Sequence, residues 1–133
     1  KTGALIAVEQ KVVLGEYEQS GLPIDATVTS QLIVNIFEKD TPLHDGAMII
    51  ADNKIRAAGC ILPVAQNAKL PKEMGLRHRS GMGMSLETDA IVIIVSEERG
   101  KISVAHKGKI EANITADTLR QILAGEREVV NYC

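Results

Sequence analysis

The chain has 133 residues, 45% hydrophobic and 24% charged, with 15 Lys and Arg against 17 Asp and Glu for a net charge of -2. That length suits one soluble domain with a real core and is too short for two. The balanced charge excludes a disordered chain and supplies no basic field for a nucleic acid. Tyr17, Phe37 and Tyr132 are too few for a base-stacking platform, and the longest purely apolar run, residues 90–95, is far below the roughly 20 residues of a spanning helix.

In chain order, the apolar run at residues 4–8, behind a glycine, predicts a buried strand. Gly21-Leu22-Pro23 reads as a turn. Thr29 or Ser30 can cap a helix whose Leu32, Ile33, Ile36 and Phe37 share one face, and Asp40-Thr41-Pro42 breaks it. Residues 47–51 and 55–62 predict two strands around an Asp52-Asn53 hairpin turn. A looser segment between Pro63 and Pro71 follows. Residues 74–86 predict a helix despite two internal glycines that cost about 1 kcal/mol each; such glycines persist where something approaches the backbone closely. Residues 90–96 form the most apolar strand, expected to be central. Glu97-Glu98-Arg99-Gly100 then turns the chain into a strand at residues 102–105, and Lys107-Gly108-Lys109 turns again. Thr115 or Asp117 starts a last helix carrying Leu119, Ile122 and Leu123, ended by Gly125. The mixture predicts an α/β fold, one domain with a mixed central sheet flanked by helices.

Cys60 and Cys133 have no metal-like or redox-like spacing; Cys60 reads as a small core side chain, and nothing asks for an oxidising compartment. The opening Lys1-Thr2-Gly3, without initiator Met or signal-like run, predicts a piece cut from a longer protein.

Three segments carry groups capable of chemistry. Pro42-Leu43-His44-Asp45-Gly46-Ala47 feeds a buried strand and sets an imidazole and a carboxylate beside a glycine that lets a ligand reach the backbone. Such a carboxylate can accept a proton from a hydroxyl or hold a divalent metal; an ordinary turn entering a strand would look the same. Arg77-His78-Arg79 opens the 74–86 helix. Basic residues there oppose the helix dipole, so an anion would justify them, with phosphate the natural choice. Ser96-Glu97-Glu98 ends the most apolar strand, where it could complete a metal or phosphate shell or simply be a solvated turn. Gly81-Met82-Gly83 is no dinucleotide loop, because its third glycine position holds Leu86 and no strand precedes it. His44-Asp45 fits the HD phosphohydrolases poorly, since only His78 and His106 remain as further imidazoles. By residue chemistry alone, the three segments suit phosphoryl or nucleotidyl transfer assisted by a divalent ion.

Gly3-Ala4-Leu5-Ile6, Pro42-Leu43-His44-Asp45-Gly46-Ala47, Arg77-His78-Arg79 and Ser96-Glu97-Glu98, in that order, resemble the diadenylate cyclase (DAC) family, most closely its CdaA-type bacterial enzymes. The resemblance implies one catalytic domain over residues 1–133 that joins two ATP molecules into cyclic di-AMP with release of two pyrophosphates, using Mg²⁺, Mn²⁺ or Co²⁺. It implies a face-to-face homodimer, a cytoplasmic domain tethered to the membrane by an N-terminal segment outside this chain, and a membrane-bound regulatory protein. Among its residues, Asp45, Arg77 and Arg79 would be catalytic. Gly46, Ala47, Leu62, Leu76, Arg77, His78, Arg79, Ser96 and Glu97 would bind ATP. Asp45, His44 and Glu98 would take the metal. Leu76 stands where many members carry a threonine against the ribose, and Ile61 where others carry a tyrosine against adenine. A nucleotide-binding regulatory module without turnover, or a metal-dependent phosphohydrolase, are the alternatives.

Overall fold

The computed structural model describes residues 2–66, 70, 71 and 74–130; Lys1, Tyr132, Cys133 and part of the segment between Pro63 and Pro71 lie outside them. Along the chain run β1 (Ala4–Val8), α1 (Gly15–Glu18), β2 (Leu22–Thr27), α2 (Ser30–Ile36), β3 (Ala47–Ala51), β4 (Lys54–Cys60), α3 (Leu76–Glu87), β5 (Ile91–Val95), β6 (Ile102–His106), β7 (Lys109–Ile114) and α4 (Ala116–Leu123). The strands form one mixed seven-stranded sheet in the order β2-β4-β3-β1-β5-β6-β7. β1 runs parallel to β3 and antiparallel to β5, and the other neighbours are antiparallel. Thus β5 is internal, and β1 holds the centre.

Strand alternation divides the apolar side chains between two faces. Leu5, Ala7, Ile49, Val92 and Ile94 pack with Met82 and Met84 of α3. Ala4, Ile6, Met48 and Ile55 face Ile36 and Phe37 at the end of α2. On that second face, Ile91 and Val104 meet Ile122 of α4 and Val129. Helices on both faces bury both sides of the central strands, which explains their nearly continuous apolar runs.

Local signals account for the boundaries. The Thr29 hydroxyl accepts the Leu32 N–H and caps α2; the Thr115 hydroxyl accepts the Thr118 N–H and caps α4. Asp52 and Asn53, at φ 54° and 61°, make the two-residue β3–β4 turn, which needs positive φ at both positions. Helix α3 is buried through its middle, from Ser80 to Ser85, and its glycines let it sit tightly. A Cβ at Gly81 would lie 2.7 Å from Ile94 Cδ1, and one at Gly83 would lie 2.2 Å from the Pro63 carbonyl oxygen.

Several elements differ from the sequence expectation. Leu22 and Pro23 open strand β2 instead of finishing a turn. β2 lies at the sheet edge, where a residue without an N–H is tolerated, and a bulge after Pro23 interrupts its register. Strand β7 and the single-turn helix α1 were not expected. The strand over residues 55–62 ends at Cys60, and the helix over 74–86 begins at Leu76. Cys60 is a core residue, and burial pushes its thiol up to about 11, which keeps it inert.

Candidate active site

Sheet topology gathers the three segments. Because β1 and β3 are parallel and β5 is antiparallel to β1, the N-terminal ends of β1 and β3 share an edge with the C-terminal end of β5. Ala4 pairs with Val95 in that register, so Gly3, the loop before Ala47 and the turn after Val95 meet at one end of the sheet. The N-terminus of α3 arrives at the same place.

A cleft of about 300 Å³ opens there, lined by Asp45, Gly75, Leu76, Arg77, His78, Val95, Ser96, Glu97 and Glu98. Asp45 is exposed on its loop. Gly46 follows it at φ 127°, with Gly59 backbone 2.9 Å from where its Cβ would be, so only glycine turns the chain into β3 here. Gly75 caps α3 without a side chain, and the first helical bond runs from the Arg79 N–H to the Gly75 carbonyl. The N–H groups of Leu76, Arg77 and His78 therefore lie in the unpaired first turn, at the positive end of the helix dipole.

Arg77 Nη1 stands 3.2 Å from Glu97 Oε2, with side-chain exposures of 21% and 52%. Buried His78 has its pKa lowered first by burial and then by the Arg77 charge, so its imidazole is neutral at neutral pH and presents one donor and one acceptor. The Ser96 hydroxyl accepts the Arg99 N–H at 3.1 Å and the Ser96 carbonyl accepts the Gly100 N–H at 2.8 Å, shaping the turn that presents Glu97 and Glu98.

The remaining expected residues stand behind or beside this lining. His44 turns its Nδ1–H to the Thr41 carbonyl at 2.6 Å. Gly46 and Ala47 form the entry into β3. Arg79 is half-buried and makes no ion pair among the described residues; its carbonyl accepts the Ala65 N–H at 3.0 Å, tying α3 to the segment after Pro63. The Leu62 side chain is buried in the core with Met74 and Met82, whereas Ile61 is exposed and its N–H donates to Ser20 Oγ. Gly75 and Val95 line the cleft without having been singled out in the sequence. Gly75 had a signal, a glycine just ahead of the basic helix start.

Among the described residues no three His, Cys, Asp or Glu side chains form a ready metal cage. The donors lining the cleft are the hard carboxylate oxygens of Asp45, Glu97 and Glu98. They fit an ion of the Mg²⁺ type, which is commonly held by one or two carboxylates together with substrate phosphates. A larger hollow of about 400 Å³ lies under α4 and the β6–β7 turn, lined by Lys107, Lys109 and Val129 among others, and none of the three segments reaches it.

Comparison with known proteins agrees with this fold. The DAC family, described as "DisA bacterial checkpoint controller nucleotide-binding", matches residues 1–110. The chain is 44% identical to the cyclic di-AMP synthase CdaA of Bacillus subtilis over 95% of its own length and 46% of that protein's. It is 43% identical to a diadenylate cyclase of Mycoplasma genitalium over 99% of its own length and 64% of that protein's. It thus spans about half to two thirds of the length of these two relatives. The fold superposes on a crystal structure of DacA from Staphylococcus aureus, a double-cysteine variant, with a TM-score of 0.90 and 40% identity, covering 94% of this chain and 83% of that one. A Bacillus cereus structure described as a hypothetical membrane spanning protein gives a TM-score of 0.81 at 38% identity over 86% of this chain and 56% of that one. No helix among the described residues is itself long and apolar enough to cross a membrane. The mixed sheet, the cleft at its edge and the match over residues 1–110 together make this chain a member of the DAC family of nucleotide-binding domains.

Proposed function

We propose that the chain is the catalytic domain of a diadenylate cyclase, which condenses two ATP into cyclic di-AMP and two pyrophosphates. One observation carries this: Asp45, the Arg77-His78 helix start and Ser96-Glu97-Glu98, far apart in sequence, line one cleft. The names of the relatives point the same way.

In this reaction the ribose 3′-hydroxyl of one ATP attacks the α-phosphorus of the other, and pyrophosphate leaves. Asp45, exposed at the cleft wall, is the group to take the hydroxyl proton. Arg77, Arg79 and the first-turn N–H groups of α3 offset negative charge as it develops on the phosphates, a stabilisation that works because the donors are already in place. Neutral His78 orients a phosphate oxygen, and Ser96 and Glu97 contact the phosphate or the metal. Gly46 and Ala47 bring main chain against the sugar, Leu76 meets the ribose through its backbone, and Leu62 offers main-chain groups to adenine. Asp45 and Glu98, with His44, whose Nδ1–H bond to Thr41 leaves Nε2 as its free lone pair, would hold a divalent cation, Mg²⁺, Mn²⁺ or Co²⁺. When bound, that cation neutralises phosphate charge.

Each chain supplies one such cleft, and a two-fold symmetric product made from two ATPs calls for two clefts face to face in an isologous dimer. The full-length enzyme is tethered on the cytoplasmic side of the membrane, within reach of a membrane-bound regulatory protein; of this, membrane attachment alone is supported by the B. cereus relative, described as a hypothetical membrane spanning protein.

The test is incubation with ATP and Mn²⁺ followed by mass spectrometry of the nucleotides. Cyclic di-AMP with pyrophosphate is expected. Release of AMP or phosphate would replace the cyclase with a phosphohydrolase, and tight binding of unchanged ATP would leave a regulatory module.

A further inference from the structure

We propose that Gly3 is a positioning residue for Arg77: the missing side chain at the head of β1 is the seat on which the guanidinium lies. Gly3 is buried, yet its φ is outside the left-handed region, so its backbone suits any residue. The strand does not need a glycine for conformation, and glycine costs roughly 0.5–1 kcal/mol relative to alanine in a regular element. What occupies the space is specific. A Cβ at Gly3 would stand 2.5 Å from Arg77 Nη1, 2.7 Å from Cζ and 3.2 Å from Nη2, and these are its three nearest atoms.

The other tightly packed glycines differ in what they touch. Gly21, Gly46 and Gly83 abut backbone, and Gly81 abuts the core side chain of Ile94. A methyl at those positions would strain the fold, whereas at Gly3 it meets the far end of a flexible side chain. The guanidinium is thus bounded by Gly3 on one side and by Glu97, 3.2 Å from Nη1, as its ion-pair partner. Adding a methyl must move it by roughly 1 Å to restore ordinary contact, a misplacement able to cost about a hundredfold in rate where a charge must be met in place.

The inference rests on the reading of this cleft as an ATP site, and the experiment separates the two. Wild type, Gly3→Ala, Arg77→Ala and the double variant are compared for thermal unfolding, affinity for a non-hydrolysable ATP analogue, and cyclic di-AMP formation with Mn²⁺. Gly3→Ala is expected to unfold no earlier than wild type and to form product about a hundredfold more slowly. It should cause no further loss once Arg77 is alanine. A Gly3→Ala rate close to wild type, or an equal loss in the Arg77→Ala background, would overturn the proposal. So would a large drop in thermal stability that Arg77→Ala does not relieve, because the methyl would then be meeting something besides the guanidinium. If wild type forms no cyclic di-AMP, the cyclase reading fails, and the same four-way comparison on analogue affinity decides the role of Gly3.

Discussion

Of the arginine–carboxylate pairs among the described residues, two at different places are built differently. At the cleft, Arg77 reaches Glu97 by a single contact of 3.2 Å, and Glu97 is half exposed. Glu111 of β7 accepts two parallel bonds of 2.9 and 2.8 Å from Arg127, which follows α4; it also accepts the Val130 N–H at 3.1 Å, and its side chain is 5% exposed. The second pair clasps the chain after α4 onto the sheet and seats Val129 in the core beneath that helix. A bidentate pair whose carboxylate is buried and accepts three hydrogen bonds holds structure. A single-contact, solvent-facing pair can give up its partners when phosphate arrives, at a cost of about 0–1 kcal/mol. In the proposed function, chemically similar groups thus serve activity in one setting and stability in the other.

Substitutions at the two places should therefore separate activity from stability. Asp45→Asn should lower cyclic di-AMP formation by about 10²–10⁴-fold while leaving the unfolding free energy within about 0.5 kcal/mol, since Asp45 is exposed and loop-borne. Comparable activity in that variant would remove Asp45 from the mechanism. Arg127→Ala should do the reverse. It leaves the Glu111 carboxylate buried without its partner and should cost about 3 kcal/mol in urea unfolding, the lower end for such pairs because Arg127 is partly exposed, with the specific rate of the folded protein unchanged. Arg77→Ala should slow product formation about 10²–10³-fold with little change in stability, the signature of a lost charge-stabilising donor.

A smaller effect concerns pH. The Arg127 hydrogen bonds hold the Glu111 carboxyl below its ordinary value of 4.5. Its contribution to stability is full above that value and is lost as pH falls through the lower, folded-state pKa. Glu111→Gln should consequently flatten the dependence of unfolding free energy on pH below about 4.5. An unchanged acid limb would show that the clasp does not depend on that charge.

The same contrast marks how far the sequence could be read. The cleft residues were legible because they cluster in short motifs, Pro42-Leu43-His44-Asp45-Gly46-Ala47 and Arg77-His78-Arg79; the first could pass for an ordinary turn, and only the second sits oddly for structure alone. Arginines in a helix's first turn want an anion. That the three motifs meet is a consequence of β1 pairing with β3 and β5, which no spacing within a motif reveals. The Glu111–Arg127 clasp was illegible: a glutamate in a short alternating stretch reads as exposed, and only tertiary folding brings Arg127 to cover it. Strand β2 was missed because Gly21-Leu22-Pro23 looks like punctuation, although at a sheet edge Pro23 loses nothing. The glycines of α3 were read correctly as sites of close approach, yet the glycine packed against a cleft side chain is Gly3, where the motif offered no geometric hint.

The central claim is that one chain holds half of a reaction. The most direct test is the rate of cyclic di-AMP formation per subunit on serial dilution, with the dimer fraction followed by sedimentation. The rate per subunit should fall in step with the dimer fraction, while each monomer still binds ATP. A rate per subunit that stays constant through dimer dissociation would contradict the claim.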